Sequence, residues 1–197
     1  MRQNEMTVPV NGVTRCKWCN LKNSLYVSYH DTEWCVLKTD DAYLFEILVL
    51  ESFQAGLSWE CILNKREAFR KAFDNFDPEK VASFGESKVC ELAGNKEIVR
   101  NRRKIEAAVG NAAVFRSIAA EFGSFYGYLL SFTGGKTIFE SDRTSNPLSD
   151  AISEDLKKRG MKFVGTVIIY SYLQAIGVIY SHEEGCFLHR SPDLQPL

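Results

Sequence analysis

The segment TDDAYLFEILVLESFQAG, residues 39–56, constrains the fold more than any other part of the sequence. When it is wound into a helix, apolar residues occupy nearly every side, and other elements must cover such a helix on most faces. Thr39 or Asp40 can cap its start, and Gly56 can end it. The sequence therefore predicts a fold built around one buried central helix.

The chain after this segment reads as a succession of further helices. Ser58 is the expected cap of the next one, and Asp77 followed by Pro78 is a usual start for a short helix. Gly110 lies inside the longest segment and is a point where that helix can break. The predicted helices cover 57–73, a short stretch from 77, 86–93, 96–122, 125–132, 147–160 and 166–179. At most one or two fragments resemble strands, so the predicted fold class is all-α.

The composition is that of one folded domain. The chain has 197 residues, 45% of them apolar, which excludes a disordered chain and a small disulfide scaffold. We expect a single domain over 15–190, with flexible tails at 1–14 and 191–197. A net charge of −1 excludes a protein that holds nucleic acid by bulk positive charge.

The sequence also predicts a cytoplasmic protein. No apolar run reaches the roughly 20 residues of a membrane span, and residues 1–14 lack the apolar stretch of a signal peptide. The six cysteines should then be reduced, and those at short spacing are more typical of metal ligands than of disulfides.

Cysteine and histidine occur near both ends of the chain and suggest a metal site. Cys16 and His30 lie near the start, while His182 and Cys186 lie in SHEEGC near the end. Zn²⁺ prefers four thiolate or imidazole ligands, and here it would join the two ends. The spacing Cys-Lys-Trp-Cys at 16–19 offers a competing ligand pair, and these residues alone leave both sets open.

The segment LKKRGMKFVGTVIIYSYLQAIG has the pattern of a helix-hairpin-helix. Gly160 and Gly165 would let the backbone turn tightly, and the loop amides with the next helix N-terminus would bind a DNA phosphate. A plain interhelical turn is the alternative, since glycine also commonly ends helices.

Local charge favours the DNA interpretation. Basic residues at 157–159 and 162 give +4, and KEIVRNRRK at 96–104 gives another +4, so the remainder of the chain carries −9. The charge is segregated, as expected if one face of the protein binds DNA, although charged helices are usually solvated faces.

The predicted central helix contains two carboxylates, Glu46 and Glu51. An ionised carboxylate in an apolar setting is costly unless it is paired, and such groups concentrate in functional sites. Periodicity alone does not choose between the two. Aromatic side chains suited to stacking on a flat ligand are frequent nearby, although most aromatic residues belong to a core. They are Tyr26, Tyr29, Trp34 and Trp59.

Six segments together resemble the 3-methyladenine DNA glycosylase I family. In order they are RCKWC, YVSYHDTEW, LFEILVLESFQAGLSW, VRNRRKIEAAVGNA, LKKRGMKFVGTVIIYSYLQAIG and SHEEGC, within residues 15–187. The resemblance implies an all-α helix-hairpin-helix glycosylase fold, with two lobes around a base-binding pocket. It implies hydrolysis of the N-glycosidic bond of 3-methyladenine in alkylated double-stranded DNA by a monomer. A non-catalytic protein that binds DNA structures on the same scaffold is the alternative.

The resemblance also implies residue roles. It selects Glu51 over Glu46 as the catalytic, base-reading carboxylate, and it leaves Cys19 out of a structural site for one Zn²⁺ per chain. The implied zinc ligands are Cys16, His30, His182 and Cys186. The implied base-binding residues are Tyr26, Tyr29, Glu51 and Trp59, and the DNA-binding residues are Gly56, Leu57, Gly160, Lys162 and Gly165, with Leu57 as a wedge.

Two absences match this family and predict an enzyme without lyase activity. No Asp occurs between Asp155 and Asp193, where most helix-hairpin-helix glycosylases carry a catalytic Asp. Val167 stands where the glycosylase/lyase branch has a Lys. The chain departs from the usual family pattern at Cys35, which replaces a customary Gly, and at Leu37, which replaces a common Pro.

Overall fold

Ten α-helices make up most of the computed structural model, which describes residues 12–190. The helices are α1 (Ser24–Thr32), α2 (Asp41–Gln54), α3 (Trp59–Leu63), α4 (Arg66–Ala72), α5 (Pro78–Ala82), α6 (Glu86–Gly94), α7 (Arg102–Phe122), α8 (Phe125–Thr133), α9 (Pro147–Lys158) and α10 (Thr166–Ala175). The all-α prediction is therefore confirmed as a mostly helical fold. Of the expected tails, 1–11 and 191–197 lie outside the described residues. No helix in the described range is long and apolar enough to cross a membrane.

Helix α2 is the predicted central helix. Every residue from Leu44 to Phe53 is buried, and α3, α7, α8 and α10 all pack against it. Asp40 caps its start, because its carboxylate accepts a hydrogen bond from the amide of Tyr43 at 2.9 Å. Gly56 follows its end with a left-handed φ of 83°. The sequence prediction for this element is confirmed.

Three predicted helices differ from the structure. The helix predicted over 166–179 ends at Ala175, since Gly177 has a positive φ of 78° and Ile179 lies in a short strand. The segment 57–73 forms two helices, of which α3 is capped by Ser58 as expected, and the chain turns at Asn64 and Lys65. Lys65 donates to the carbonyl of Glu97 at 2.9 Å, which anchors this turn to a different part of the fold. Helix α7 begins at Arg102 because Asn101 caps it, and it continues through Gly110 without a break.

Two short parallel strands join distant parts of the chain. Strand β1 (Ile138–Phe139) pairs with β2 (Ile179–Tyr180), and Ile138 lies opposite Ile179. This agrees with the expected one or two strand fragments. The pairing brings the turn-rich segment after β1 beside the segment that follows α10.

The end of α10 also holds the segment that follows α1. The amide of Cys35 donates to the carbonyl of Gln174, and the amide of Lys38 donates to that of Ile176, both at 3.0 Å. Gly177 makes this approach possible, since it has a φ of 78° and its Cα faces the backbone of Leu37. A Cβ there would overlap with backbone atoms, so a side chain is excluded at this position.

We expect Gly177→Ala to lower the free energy of unfolding by roughly 2–4 kcal/mol, because it adds a backbone clash to an unfavourable positive φ. Gly134→Ala is the matched control, since Gly134 also has a positive φ of 59° but open space around its Cα. The control should lose only about 1 kcal/mol. Urea denaturation of both variants measures the difference, and equal losses would contradict a close approach at Gly177.

Candidate active site and metal centre

A cavity of about 280 Å³ opens between the N-terminal segment, α1, α2, α3 and α10. Its volume is near the lower end of ligand pockets, which span roughly 300–1,000 Å³. The lining residues are Trp18, Tyr26, Tyr29, Trp34, Glu51, Gln54, Trp59, Asp142, Arg143, Ser171, Gln174, Ser181 and Glu183. All four residues to which the family resemblance assigns base binding are among them.

The carboxylate of Glu51 lines this cavity and is 3% exposed. Its Oε2 atom has no hydrogen-bond partner within the described residues, and burial raises the pKa of Glu51 to about 8. Glu46 on the same helix is also buried, but it pairs with Arg66 at 2.6 Å and with Arg70 at 2.8 Å. Glu46 therefore belongs to a neutralised internal pair, while Glu51 is unpaired and available to a ligand.

Aromatic rings form much of the cavity wall. Tyr29 and Trp59 lie with ring centroids 5.3 Å apart at an angle of 49°, and Trp18 lies 4.7 Å from Trp34. Burial raises the pKa of Tyr26 to about 12 and raises that of Tyr29 well above its ordinary value, so both phenols are neutral hydrogen-bond donors at physiological pH. The indole nitrogen of Trp59 has no partner within the described structure. These rings and the Glu51 carboxylate suit a flat, positively charged heteroaromatic ligand with an amino group.

Sequence reasoning missed several polar residues of the wall. Gln54 lies one helical turn after Glu51, so helical spacing could have identified it. Gln174 donates to the hydroxyl of Ser181 at 2.8 Å. Asp142 and Arg143 reach the cavity only because β1 pairs with β2, a contact that no local pattern indicates.

Cys16, His30, His182 and Cys186 form one buried cluster. Their four donor atoms lie within 4.8 Å of one another. The Sγ atom of Cys186 is 3.5 Å from Nε2 of His30 and 3.5 Å from Nδ1 of His182, and Sγ of Cys16 is 3.6 Å from the same Nδ1. This arrangement can bind one metal ion. Cys19 lies outside it, with its Sγ 3.8 Å from the carbonyl oxygen of Tyr26.

Neighbouring groups orient the cluster. Nδ1 of His30 contacts Asp31 at 2.8 Å, which directs Nε2 towards the cluster, and Arg15 in turn donates to Asp31 at 2.7 Å. Burial lowers the pKa of His182 to about 4 and also lowers that of His30. Both rings are therefore neutral, which is the form that binds metals.

The turn after α2 presents Leu57 to solvent with 43% of its surface exposed. Lys104 supports this turn from α7, because its ammonium donates to the carbonyls of Phe53 at 2.8 Å and Ala55 at 2.7 Å. A cation at the end of a helix satisfies carbonyls that have no helical partner and offsets their partial negative charge. The predicted wedge thus extends from a rigid helix end.

The predicted hairpin connects α9 to α10. Gly160 has a φ of 102°, its amide donates to Lys157, and that of Met161 donates to Leu156, a common way to end a helix. Gly165 immediately precedes α10 and occupies its N-cap position. Both glycines therefore lie at helix ends. A plain interhelical turn would place them in the same way, so these positions do not distinguish it from a DNA-binding hairpin.

The loop between these glycines is braced from other helices. Asn111 of α7 accepts from the amide of Lys162 and donates to its carbonyl, both at 2.8 Å. Between the two glycines, Phe163 has a left-handed φ of 57°. The turn inside the loop is therefore made by Phe163 and not by a glycine.

Part of the positive charge of the two basic runs is neutralised within the protein, so the charge left for a ligand is smaller than the sequence count of +8. Four of their nine basic residues are engaged within the protein. They are Lys104 with carbonyls, Arg102 with Glu86 and Glu106, Lys158 with Glu154, and Arg159 with Glu121 and Asp155. The other five have no ion pair among the described residues, namely Lys96, Arg100, Arg103, Lys157 and Lys162.

The chain is similar to known proteins over most of its length. A family profile described as methyladenine glycosylase matches residues 18–189. DNA-3-methyladenine glycosylase 1 of Escherichia coli K12 is 43% identical over 178 residues, which cover 87% of this chain and 95% of that protein. A crystal structure of 3-methyladenine DNA glycosylase I has a TM-score of 0.85 at 42% identity and covers 90% of this chain and 100% of that one. A Staphylococcus aureus 3-methyladenine DNA glycosylase I structure, solved for the basis of 3-methyladenine recognition, has a TM-score of 0.83 at 36% identity, covering 88% and 96%.

The raised pKa of Glu51 makes stability depend on pH. Because folding raises this pKa from an ordinary 4.5 to about 8, the folded protein loses stability as pH rises through that window. The loss is on the order of 3–5 kcal/mol and levels off above pH 8. Glu51→Gln removes this titration, so its free energy of unfolding should match the wild type near pH 4.5 and exceed it near pH 8. Denaturant unfolding at both pH values measures this, and a constant difference between the two proteins would contradict it.

Proposed function

Because the chain belongs to the methyladenine glycosylase family, we propose that it removes 3-methyladenine from alkylated DNA by hydrolysing its N-glycosidic bond, a base-excision repair activity. The observation that carries this proposal is the unpaired carboxylate of Glu51 in an aromatic cavity that takes a flat cationic base.

The chemistry of the damaged base explains why this cavity suffices. Methylation at N3 makes adenine in DNA cationic, so the base is a good leaving group that needs little acid catalysis. The protein must extract the nucleotide from the base stack, which costs a few kcal/mol and less for a damaged base. Trp59 stacks on the flipped base, and the neutral rings of Tyr26 and Tyr29 attract its charge, worth up to about 2 kcal/mol where water is excluded.

Glu51 supplies the discrimination against normal adenine. Its carboxylate accepts a hydrogen bond from the exocyclic amino group, and the positive charge of the methylated base favours the ionised carboxylate over the protonated form of the free protein. Normal adenine is neutral, so it would not favour the ionised form of Glu51 and would lack this charge-assisted hydrogen bond. Binding of the damaged base thus releases the proton that burial holds on Glu51.

The protein approaches DNA through two elements. Leu57 enters the gap that the flipped nucleotide leaves in the duplex. The hairpin over 160–165 is a helix-hairpin-helix that binds a backbone phosphate, since the amides of Gly165, Thr166 and Val167 have no hydrogen-bond partner among the described residues. The hydrophobic Val167 cannot form the covalent link of a lyase, which supports base removal without strand cleavage.

The metal of the buried cluster is proposed to be one structural Zn²⁺. A tetrahedral zinc with ordinary bond lengths separates sulfur from nitrogen by about 3.6 Å, close to the 3.5 and 3.6 Å found here. Four protein ligands leave no position for water, so zinc would hold the chain ends together without taking part in the reaction. We also propose that the protein acts as a monomer in a reducing cytoplasm, where its six cysteines stay free of disulfides.

Glu51→Gln should lower kcat/KM for release of 3-methyladenine by roughly 10- to 100-fold, since it removes a charge-assisted hydrogen bond. In the wild type, kcat/KM should rise with pH and level off near pH 8 as Glu51 ionises, while the variant shows no such rise. Chromatography of bases released from methylated duplex measures both.

Glu67→Gln, an exposed change on α4, is the matched control and should retain activity. A wild-type protein that binds abasic duplex but releases no base would instead be a non-catalytic DNA-binding protein.

Cys186→Ser should reduce zinc content well below one ion per chain and lower the Tm, because it removes one of four ligands. Cys19→Ser is the control, since Cys19 is buried near the cluster but contacts the carbonyl of Tyr26 instead. It should keep its zinc. Metal analysis of both purified variants, with thermal unfolding before and after chelation, provides the measurement, and zinc loss in the Cys19 variant alone would favour the competing ligand pair.

A further inference from the structure

Phe163 is an exposed aromatic residue to which the proposed function assigns no role. It lies in the hairpin loop with 37% of its surface exposed and with a left-handed φ of 57°. Residues with bulky side chains rarely adopt this conformation, which persists only where the surrounding structure enforces it. Phe163 thus combines an exposed apolar ring with a backbone conformation that its residue type disfavours.

The loop that holds this ring is braced on both sides of it. Asn111 of α7 makes two hydrogen bonds to the backbone of Lys162. The hydroxyl of Ser52 on α2 donates to the carbonyl of Phe163 at 3.1 Å. The backbone that carries the ring is therefore held in place by the protein alone.

The ring is adjacent to both proposed DNA contacts. The ammonium of Lys104 lies 5.9 Å from the ring centroid and donates to the carbonyl of Ala55, two residues before Leu57. The amides of Gly165, Thr166 and Val167, to which the proposed function assigns the phosphate, follow two to four residues after Phe163. Lys104 thus connects the Phe163 ring with the turn that carries Leu57, and the loop itself connects the ring with the proposed phosphate site.

We infer that Phe163 contacts DNA directly, with its ring packed against a deoxyribose of the duplex beside the phosphate bound by the hairpin. This inference deepens the proposed function and rests on it. The ring offers no hydrogen-bonding group, so it cannot read a base edge or neutralise a phosphate. The sugar is the least polar part of the DNA backbone, and packing against it adds affinity that depends on neither sequence nor salt.

The test is binding to a duplex that contains a tetrahydrofuran abasic analogue, measured by fluorescence anisotropy at several salt concentrations. Phe163→Gly should weaken binding roughly tenfold, and Phe163→Leu should restore most of the affinity. The salt dependence of Phe163→Gly should equal that of the wild type. Lys162→Ala provides the contrast, because loss of a phosphate contact lowers the logarithmic salt slope by about one.

Asn75→Gly is the matched backbone control, since Asn75 has a φ of 55° in a turn distant in sequence from the hairpin. It should bind DNA as the wild type does. The Tm of Phe163→Gly should stay within about 3 °C of the wild type, because glycine relieves the left-handed backbone. Its binding of free 3-methyladenine, followed by tryptophan fluorescence, should be unchanged. A marked drop in the Tm or in the binding of free 3-methyladenine would show that Phe163 has a structural role and would overturn the inference.

The remaining outcomes separate this inference from the proposed function. If Phe163→Gly binds the duplex as tightly as the wild type does, and the wild type releases the base normally, only the inference about Phe163 is overturned. A wild type that binds the duplex through Phe163 but releases no base overturns the glycosylase function and leaves the contact standing. A wild type that does not bind the abasic duplex overturns both.

Discussion

The burial of α2 from Leu44 to Phe53 is the constraint on which the rest of the structure depends. The terminal amides and carbonyls of a helix have no partner within it, and both ends of α2 find one elsewhere in the protein. Asp40 provides it at the start and Lys104 at the end. Because Lys104 comes from α7, the end of α2 is fixed relative to the helix that also braces the hairpin.

The same burial gives two carboxylates on one helix opposite properties. Glu46 is compensated by two arginines from α4, so it contributes an internal ion pair and no chemistry. Glu51 faces a cavity and has no ion pair among the described residues, so burial keeps it protonated until a positively charged ligand favours its ionised form. The buried Cys/His cluster brings α1, which carries Tyr26 and Tyr29, together with the segment after α10.

The sequence predicted those features that are set by local rules. The caps at Asp40 and Ser58, the short helix at Pro78 and the burial of α2 follow from residue type and periodicity, and the structure confirms them. The choice of Cys186 and His182 over Cys19 came from family resemblance, because spacing leaves both sets open. The break at Lys65 and the internal role of Lys104 depend on partners more than 30 residues away, so a charge count could not distinguish a buried lysine from a DNA-binding one.

Two residues with proposed roles in binding the substrate depart from the usual rules of stability. Glu51 is a buried carboxylate without a partner, and Phe163 is a bulky residue in a left-handed conformation. Each raises the free energy of the folded protein, and neither is needed to pack the core. Ser52, which follows Glu51 in α2, donates to the carbonyl of Phe163, so one rigid helix supports both. Sites that bind a ligand are expected to keep such unfavourable features, because the ligand supplies the interaction that the free protein lacks.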